Sequence, residues 1–236
     1  MTHGIIFDYG GTIDSRGVHW SEVIWDAYRA ENVPIDKDTF REAYVYAERE
    51  LARVRHILPQ DDFFTLLSKK MALELRWLEE QGHELGQPLP ALAEALARRC
   101  DEAARQCIDE ARPVLEELSA RYPMMLVSNF YGNIDSVLRA YDVRRYFKGV
   151  IESAVVGVRK PNPTLFRLGV DVLELPPEEV LVVGDSLKKD IIPALSLGCT
   201  AIWLKGKGWT PDEDAQCHPH GDAFTITRLS DLLRII

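Results

Sequence analysis

The spacing of hydrophobic positions divides the chain into two regions. Residues 4–8, "GIIFD", form a short apolar run that ends in a carboxylate, and such a run predicts a buried strand. From there to about residue 110 the apolar residues recur at helical spacing, as in the stripe of Phe40, Tyr44, Ala47 and Leu51. Pro and Gly separate the helical segments. We predict four helices here, at 19–31, 37–56, 61–82 and 88–109.

Beyond residue 110, short helical segments alternate with continuously apolar ones. The predicted strands are "MMLVS", "GVIES", "VLVVGD", "TAIWL" and "DAFTI", and helices such as "RPVLEELSARYP" and "NPTLFRLGVDVL" stand between them. This alternation is typical of an open parallel sheet with helices on both faces, an α/β fold. The first strand is therefore separated from its sheet by about a hundred helical residues. We expect an α/β core at 1–15 and 113–236 and a helical insert at 16–112, with crossings near 15–18 and 110–113.

Composition narrows the class of protein. The chain has 236 residues, 46% of them hydrophobic, and 28 basic against 37 acidic residues give a net charge of −9. That charge argues against a nucleic-acid partner, because phosphate backbones select basic surfaces. No apolar run approaches the ~18 residues of a membrane span, and the N-terminus does not resemble a secretory signal. We therefore expect a cytoplasmic protein without a membrane or nucleic-acid partner, and leave its oligomeric state open.

The cysteines do not indicate a disulfide scaffold. Four cysteines in a chain of this length form no C-x-x-C pair, which favours a reducing compartment. Cys217, His218 and His220, in "CHPH", could be interpreted as a metal cluster, but a surface loop is the favoured interpretation.

Polar side chains collect where the predicted strands end. Asp8 follows the first strand, Ser128 and Asn129 end the second, and Asp185 follows "VLVVG", with Asp190 five residues later. Lys160 lies in a loop after another strand. Ligand sites of open α/β sheets lie outside the carboxyl ends of the strands, so these groups should converge. Carboxylates, a hydroxyl and a lysine suit phosphoryl transfer, in which a carboxylate attacks phosphorus and Mg²⁺ offsets the repulsion between them.

Four ordered segments, "FDYGGTIDS", "LVSN", "KPNPTLF" and "GDSLKKDIIPALSLG", resemble the motifs of the haloacid dehalogenase-like (HAD) hydrolase superfamily. The resemblance covers about 140 residues. It implies a Rossmann-like, doubly wound core with a helical C1-type cap. It also implies that Asp8 is the nucleophile, that Ser128 binds phosphate, and that Lys160 orders both.

The resemblance also implies a metal site and substrate contacts. Asp8, Asp185 and Asp190 would hold Mg²⁺, together with the backbone carbonyl of residue 10, with Asp185 and Asp190 acting either directly or through the water shell of the ion. His19 resembles a cap histidine that faces the site in some relatives, and the alternative is a surface histidine at the start of a helix. The remaining substrate-binding residues would be Gly11, Thr12 and Asn129.

Gly10 departs from the family pattern. Phosphatases of the family carry D-x-D-G-T, whereas this chain reads D-Y-G-G-T. The missing Asp protonates the leaving oxygen and then activates water, a contribution of ~10²–10⁴ in rate.

Three functions stay open at this point. The first is a Mg²⁺-dependent phosphatase acting on a small phosphorylated metabolite, impaired or substrate-assisted at Gly10. The second is the phosphonatase or dehalogenase type of branch. Phosphonatases need a cap lysine as a Schiff base, and the insert offers only Lys37, Lys69 and Lys70. The third is a non-catalytic phosphate-ligand binder.

Overall fold

The protein is built on one six-stranded parallel sheet. The computed structural model describes residues 1–210 and 223–236, so the "CHPH" segment lies outside the described residues. The strands are arranged in the order β3-β2-β1-β4-β5-β6. Their bounds are β1 Gly4–Phe7, β2 Met124–Ser128, β3 Gly149–Glu152, β4 Val180–Gly184, β5 Thr200–Leu204 and β6 Ala223–Ile226. The predicted α/β fold class is confirmed.

The register of the central strands explains why the strand-end residues meet. β1 lies between β2 and β4, with Phe7 opposite Leu126 on one side and Val183 on the other. All three strands are buried along their whole length, as expected for parallel strands covered on both faces. The residues that follow them therefore open onto the same edge of the sheet.

Helices cover both faces of this sheet. Their bounds are α1 Trp20–Ala30, α2 Lys37–Arg53, α3 Phe63–Glu80, α4 Leu89–Arg121, α5 Ile134–Ala140, α6 Ser153–Val156, α7 Thr164–Leu173, α8 Ile192–Ser196 and α9 Leu232–Ile235. A π-helical turn, Leu187–Ile191, leads into α8, and short 3₁₀ turns lie at Arg144–Tyr146, Pro177–Glu179 and Leu229–Asp231. None of the helices in the described part of the chain is both long and apolar enough to cross a membrane.

The fourth helix differs from the prediction. A helix ending at 109 and a second one beginning near 112 were expected, but α4 runs without interruption for 33 residues and contains Pro113. Its buried stripe continues through Ile108, Ala111, Leu115 and Leu118, so apolar burial outweighs the one backbone hydrogen bond that proline removes. The second crossing into the core is therefore a helix. The division into two domains stays a prediction.

The first crossing is a tight turn. Arg16 and Gly17 both have positive φ, and the Gly17 amide donates to the carbonyl of Gly11 at 2.6 Å. A Cβ at Gly17 would fall 2.8 Å from the backbone nitrogen of Gly206, in the loop after β5. This loop continues against α1 and α2: the His19 amide donates to the Lys207 carbonyl at 2.8 Å. The inserted helices are thus fastened directly over the edge of the sheet where the site lies.

Candidate active site

Three carboxylates converge at the carboxyl end of the central strands. Asp8 follows β1, Asp185 follows β4, and Asp190 lies in the π-helical turn after it. Each offers an oxygen, and these oxygens all lie within 4.8 Å of one another. Among the described residues, this is the one cluster of metal-ligating side chains found. Carboxylate oxygens at such separations suit a hard divalent cation.

Two glycines allow the carboxylates to come this close. A Cβ at Gly11, where φ is +97°, would fall 2.3 Å from Oδ2 of Asp185. A Cβ at Gly184, the last residue of β4, would fall 2.4 Å from the Cβ of Asp190. Any side chain at either position would therefore displace an acid of the cluster.

Lys160 supplies the fixed positive charge. Its Nζ donates to Oδ1 of Asp8 at 2.5 Å, to Oδ1 of Asp190 at 2.6 Å and to the Val127 carbonyl at 3.1 Å. All three hydrogens of the ammonium group are thus used. Burial alone would lower the pKa of Lys160, but Asp190 and Asp8 outweigh it and hold the pKa above its ordinary value. The lysine therefore stays charged.

The cluster carries more negative than positive charge. Burial, and then the neighbouring carboxylates, raises the pKa of Asp185 well above its usual range; burial also raises the pKa of Asp8, although Lys160 opposes it. With all three acids ionised, one lysine would leave a net charge of about −2, which a single divalent cation balances; the raised pKa values show how strongly the ionised form needs that cation. The donor set and the charge both fit a bound metal ion.

The neighbouring polar residues orient this cluster. Thr12 Oγ1 donates to Oδ2 of Asp8 at 3.0 Å. The Asn129 side chain holds the backbone of Lys160 at both ends, donating to its carbonyl at 3.1 Å and accepting from its amide at 2.9 Å. Ser128 Oγ is buried beside the cavity and has no hydrogen-bond partner in the described part of the chain. An unpaired buried hydroxyl is costly, so Ser128 is placed to meet a ligand.

Gly10 lies at the cavity with space in front of it. A Cβ built there meets no heavy atom within 4 Å, and its φ lies outside the left-handed region. In contrast to Gly11 and Gly184, neither packing nor backbone conformation requires glycine at this position. A Cβ is accommodated here without a clash.

The inserted helices close the other side of a cavity of about 440 Å³, a size usual for small-molecule sites. His19 lines it and caps α1 by accepting from the Ser21 amide through Nδ1 at 3.2 Å. Its ring lies 5.2 Å from that of Trp209, between centroids, and 6.2 Å from that of Tyr44. Because Nδ1 is an acceptor, the proton of the neutral ring lies on Nε2.

Comparison with known proteins agrees with this architecture. The sequence model of the haloacid dehalogenase-like hydrolases matches residues 2–198. The chain belongs to the haloacid dehalogenase-like hydrolase family.

Relatives of this chain include phosphatases. A glyceraldehyde 3-phosphate phosphatase from Pyrococcus furiosus is 33% identical over 91 residues, covering 39% of this chain and 37% of that protein. This chain spans half the length, or less, of the curated phosphatases that it matches.

Solved structures share the fold of this chain. A HAD phosphatase from Thermococcus onnurineus superposes with a TM-score of 0.55 at 22% identity, over 99% of this chain and 97% of that one. An L-2-haloacid dehalogenase superposes with a TM-score of 0.62 at 19% identity, over 100% and 99% of the two chains. The same fold therefore carries phosphatases and dehalogenases.

The cavity also contains residues for which the sequence carries no motif. Glu48, Tyr131 and Trp209 line it, and so does Lys70, which the sequence identifies only as a lysine of the insert. One signal was available, since Lys70 and Glu74 occupy the otherwise apolar stripe of α3. A charged residue at a core position of an amphipathic helix suggests a paired or functional group.

We expect His19→Asn to remove a pH dependence of stability. Burial, followed by Lys189 and Lys70, lowers the pKa of His19 from 6.5 to about 4. Between pH 6.5 and 4 the folded protein binds fewer protons at His19 than the unfolded chain does. The neutral ring therefore contributes its full share to the free energy of unfolding above pH 6.5, and that share is lost as the pH falls toward 4. Asparagine keeps an N-cap acceptor. Urea unfolding at about pH 7 and about pH 4.5 should show wild type losing ~1–3 kcal/mol more than the variant.

His83→Asn, which changes a histidine away from the cavity, is the matched control and should follow wild type. An equal loss in wild type and His19→Asn would show that the ring is as easily protonated in the folded protein as in the unfolded chain.

Proposed function

We propose that this protein is a Mg²⁺-dependent phosphatase that acts on a small phosphorylated metabolite through an aspartyl-phosphate on Asp8. The observation that carries the proposal is the buried unit of Asp8, Lys160, Asp190 and Asp185 beside the unpaired hydroxyl of Ser128. A nucleophile, a fixed cation, a metal-ligand set and a free oxyanion donor are the groups that phosphoryl transfer requires.

The metal would be held by the carboxylates of Asp8, Asp185 and Asp190 and by the backbone carbonyl of Gly10. When bound, Mg²⁺ would neutralise charge on the phosphoryl oxygens and so permit a carboxylate to approach them. Lys160 would keep Asp8 ionised and contribute to the same neutralisation.

The reaction would follow from the positions of the side chains. An oxygen of Asp8 attacks phosphorus while the bond to the leaving oxygen breaks, and the leaving group takes the electron pair. Ser128 donates a hydrogen bond to a phosphoryl oxygen, and Thr12 keeps the Asp8 carboxylate oriented. We propose that the substrate is contacted by Gly11, Thr12, Asn129 and His19. Water then hydrolyses the aspartyl-phosphate and releases phosphate.

We propose that Gly10 slows this reaction. The leaving oxygen needs a proton and the attacking water must lose one, and glycine has no side chain for either transfer. We propose slow turnover, or turnover assisted by a group of the substrate itself.

The relatives support the reaction class. Their names include glyceraldehyde 3-phosphate phosphatase and phosphoserine phosphatase, which are enzymes for small phosphorylated substrates. The helices between β1 and β2 fit a C1-type cap at residues 16–112, over a core at 1–15 and 113–236. The crossings near 15–18 and 110–113 would then be the hinge, of which the second is the helical segment around Pro113.

The alternatives are less well supported. A Schiff base requires a neutral amine, but Lys70 is ion-paired with Glu48, and its pKa lies well above its ordinary value because Glu48 outweighs burial. A dehalogenase would not use the metal site, whereas the metal-ligating carboxylates are retained. A measurement of phosphate release distinguishes the phosphatase from a non-catalytic phosphate binder.

Phosphate release from a panel of phosphorylated metabolites should require Mg²⁺ and Asp8. We expect release with Mg²⁺, loss of release with EDTA, and loss with Asp8→Asn, because an amide oxygen is a poor nucleophile. Asp171→Asn, on the exposed face of α7, should behave as wild type. Release by a clean, folded Asp8→Asn preparation above a few per cent of wild type would assign the attack to another group.

Magnesium should stabilise the folded protein even if turnover is slow. Binding balances the excess negative charge, and at about one hundred times Kd it adds ~2.7 kcal/mol to the free energy of unfolding. Thermal melts should show a higher midpoint with Mg²⁺ than with EDTA, and Asp185→Asn should remove the difference. An unchanged wild-type midpoint up to millimolar Mg²⁺ would count against the metal site.

Gly10→Asp should increase turnover. A Cβ at residue 10 meets no atom within 4 Å, and a carboxyl group there would supply the missing proton transfers, for a gain of up to ~10²–10⁴ in kcat. The gain should be larger for alkyl than for aryl phosphates, whose leaving oxygens hardly need protonation. The double variant Asp8→Asn/Gly10→Asp is the control and should be inactive. A folded, Mg²⁺-binding Gly10→Asp protein without any gain would show that glycine does not limit the reaction.

A further inference from the structure

The cavity has a second polar cluster. It lies in the wall that the inserted helices mainly form. It consists of Glu48 on α2, Lys70 on α3 and Tyr131 in the loop after β2, three residues beyond Ser128. Oε1 of Glu48 accepts from the Lys70 ammonium group and, at 2.7 Å, from the Tyr131 hydroxyl. All three residues line the same cavity as Asp8 and Ser128. The cluster thus joins the inserted helices to the loop that carries the phosphate-binding candidate.

The packing of the fold does not require this charge. Lys70 stands in the buried apolar stripe of α3, and its side chain is 4% exposed. A buried ion pair is often no more stable than well-packed apolar side chains of similar volume. Glu48 remains 32% exposed toward the cavity, and its second oxygen accepts no hydrogen bond from residues 1–210 or 223–236. The cluster therefore presents an unused acceptor to whatever occupies the cavity.

The charges around the cluster select the kind of group that can bind. Glu48 and Lys70 neutralise each other, while Lys189 also lies near enough to Glu48 to lower its pKa. At the free oxygen of Glu48 a carboxylate is repelled, whereas an ammonium group is attracted by that oxygen but would lie near the positive charges of Lys70 and Lys189. A hydroxyl avoids both repulsions, because it can donate to the free oxygen of Glu48 and accept from the Lys70 ammonium group.

Aromatic rings also line the cavity beside the cluster. The Lys70 ammonium group lies 4.1 Å from the centroid of the Tyr44 ring, and the Tyr44 and Trp209 rings are 5.4 Å apart between centroids. Lys70 covers part of the Tyr44 ring, and the aromatic carbon that lines the cavity suits the C–H groups of a compact carbon skeleton. Polar edges beside apolar ring faces match a molecule that carries both hydroxyl and C–H groups.

We propose that Glu48, Lys70 and Tyr131 form a specificity subsite for an uncharged, hydroxyl-bearing group, so that the preferred substrates are phosphate esters of sugars or polyols. This inference rests on the proposed phosphatase function, since it assigns the far end of the same substrate.

The test compares kcat/KM for five phosphates in wild type and variants. They are a hexose phosphate, its deoxy analogue, phosphoserine, phosphoglycolate and p-nitrophenyl phosphate, which has no hydroxyl group. Wild type should prefer the hexose phosphate. Glu48→Gln should lower its kcat/KM by ~10- to 100-fold, the usual effect of losing a charged hydrogen bond, and leave p-nitrophenyl phosphate within about threefold. Tyr131→Phe, which keeps the ring and changes no charge, should act in the same direction.

Glu50→Gln is the matched control, because Glu50 lies on the same helix and is also ion-paired, with Arg53, but does not line the cavity. It should follow wild type with every substrate. An equal loss for all five phosphates in Glu48→Gln would identify a closure contact and overturn the subsite. A wild-type preference for phosphoserine or phosphoglycolate would overturn it as well.

A binding measurement tests this inference independently of the proposed phosphatase activity. If no phosphate is hydrolysed, including p-nitrophenyl phosphate, the phosphatase proposal fails, and calorimetry with the hexose phosphate in Mg²⁺ decides on the subsite alone. Binding weakened about tenfold or more by Glu48→Gln, and not by Glu50→Gln, supports it. Unaltered binding, or none in wild type, overturns it.

Discussion

The ammonium group of Lys160, held between Asp8 and Asp190, is the interaction on which the site depends. Three carboxylates within a few ångströms repel one another, and burial increases the repulsion because water no longer screens it. Lys160 offsets part of that charge through hydrogen bonds of 2.5 and 2.6 Å. Asn129 fixes the backbone that carries the lysine. The four sequence motifs are therefore parts of one electrostatic unit, assembled from four loops.

The same constraint explains the glycines around the unit. Carboxylates can come close only if the neighbouring backbone leaves room, and Gly11 and Gly184 leave room for Asp185 and Asp190. Gly10 does nothing comparable, because a Cβ there would meet open space. Neighbouring glycines in one turn thus have different physical roles. Packing requires glycine at position 11 and does not require it at position 10.

Much of this arrangement could be predicted from the sequence because parallel strands impose it. Strand ends are legible as apolar runs that stop at a polar residue, and their adjacency follows from the sheet, so Asp8, Ser128 and Asp185 could be assigned to one edge. Two features could not be predicted in this way. The helix through Pro113 continues because its buried stripe continues, a tertiary effect that overrides a local breaker. Glu48 and Tyr131 meet only through packing between distant segments, so their sequence context contains no motif.

The proposed hydroxyl subsite and Gly10 lie in the same cavity, and together they restrict the class of substrate more than either does alone. A subsite for hydroxyl groups implies that the leaving group is an alcohol, and a simple alcohol is a poor leaving group without a proton donor. Gly10 provides none. The two proposals agree most simply if the phosphate is attached to an oxygen more acidic than that of a simple alcohol, such as the anomeric oxygen of a sugar, or if a substrate hydroxyl enters the space in front of Gly10 and relays the proton. In the first case less protonation of the leaving oxygen is needed, and in the second the substrate would supply what the aspartate supplies in phosphatases of the family. The open space at Gly10 would then admit that hydroxyl, and an aspartate introduced there would perform the same proton transfers without it.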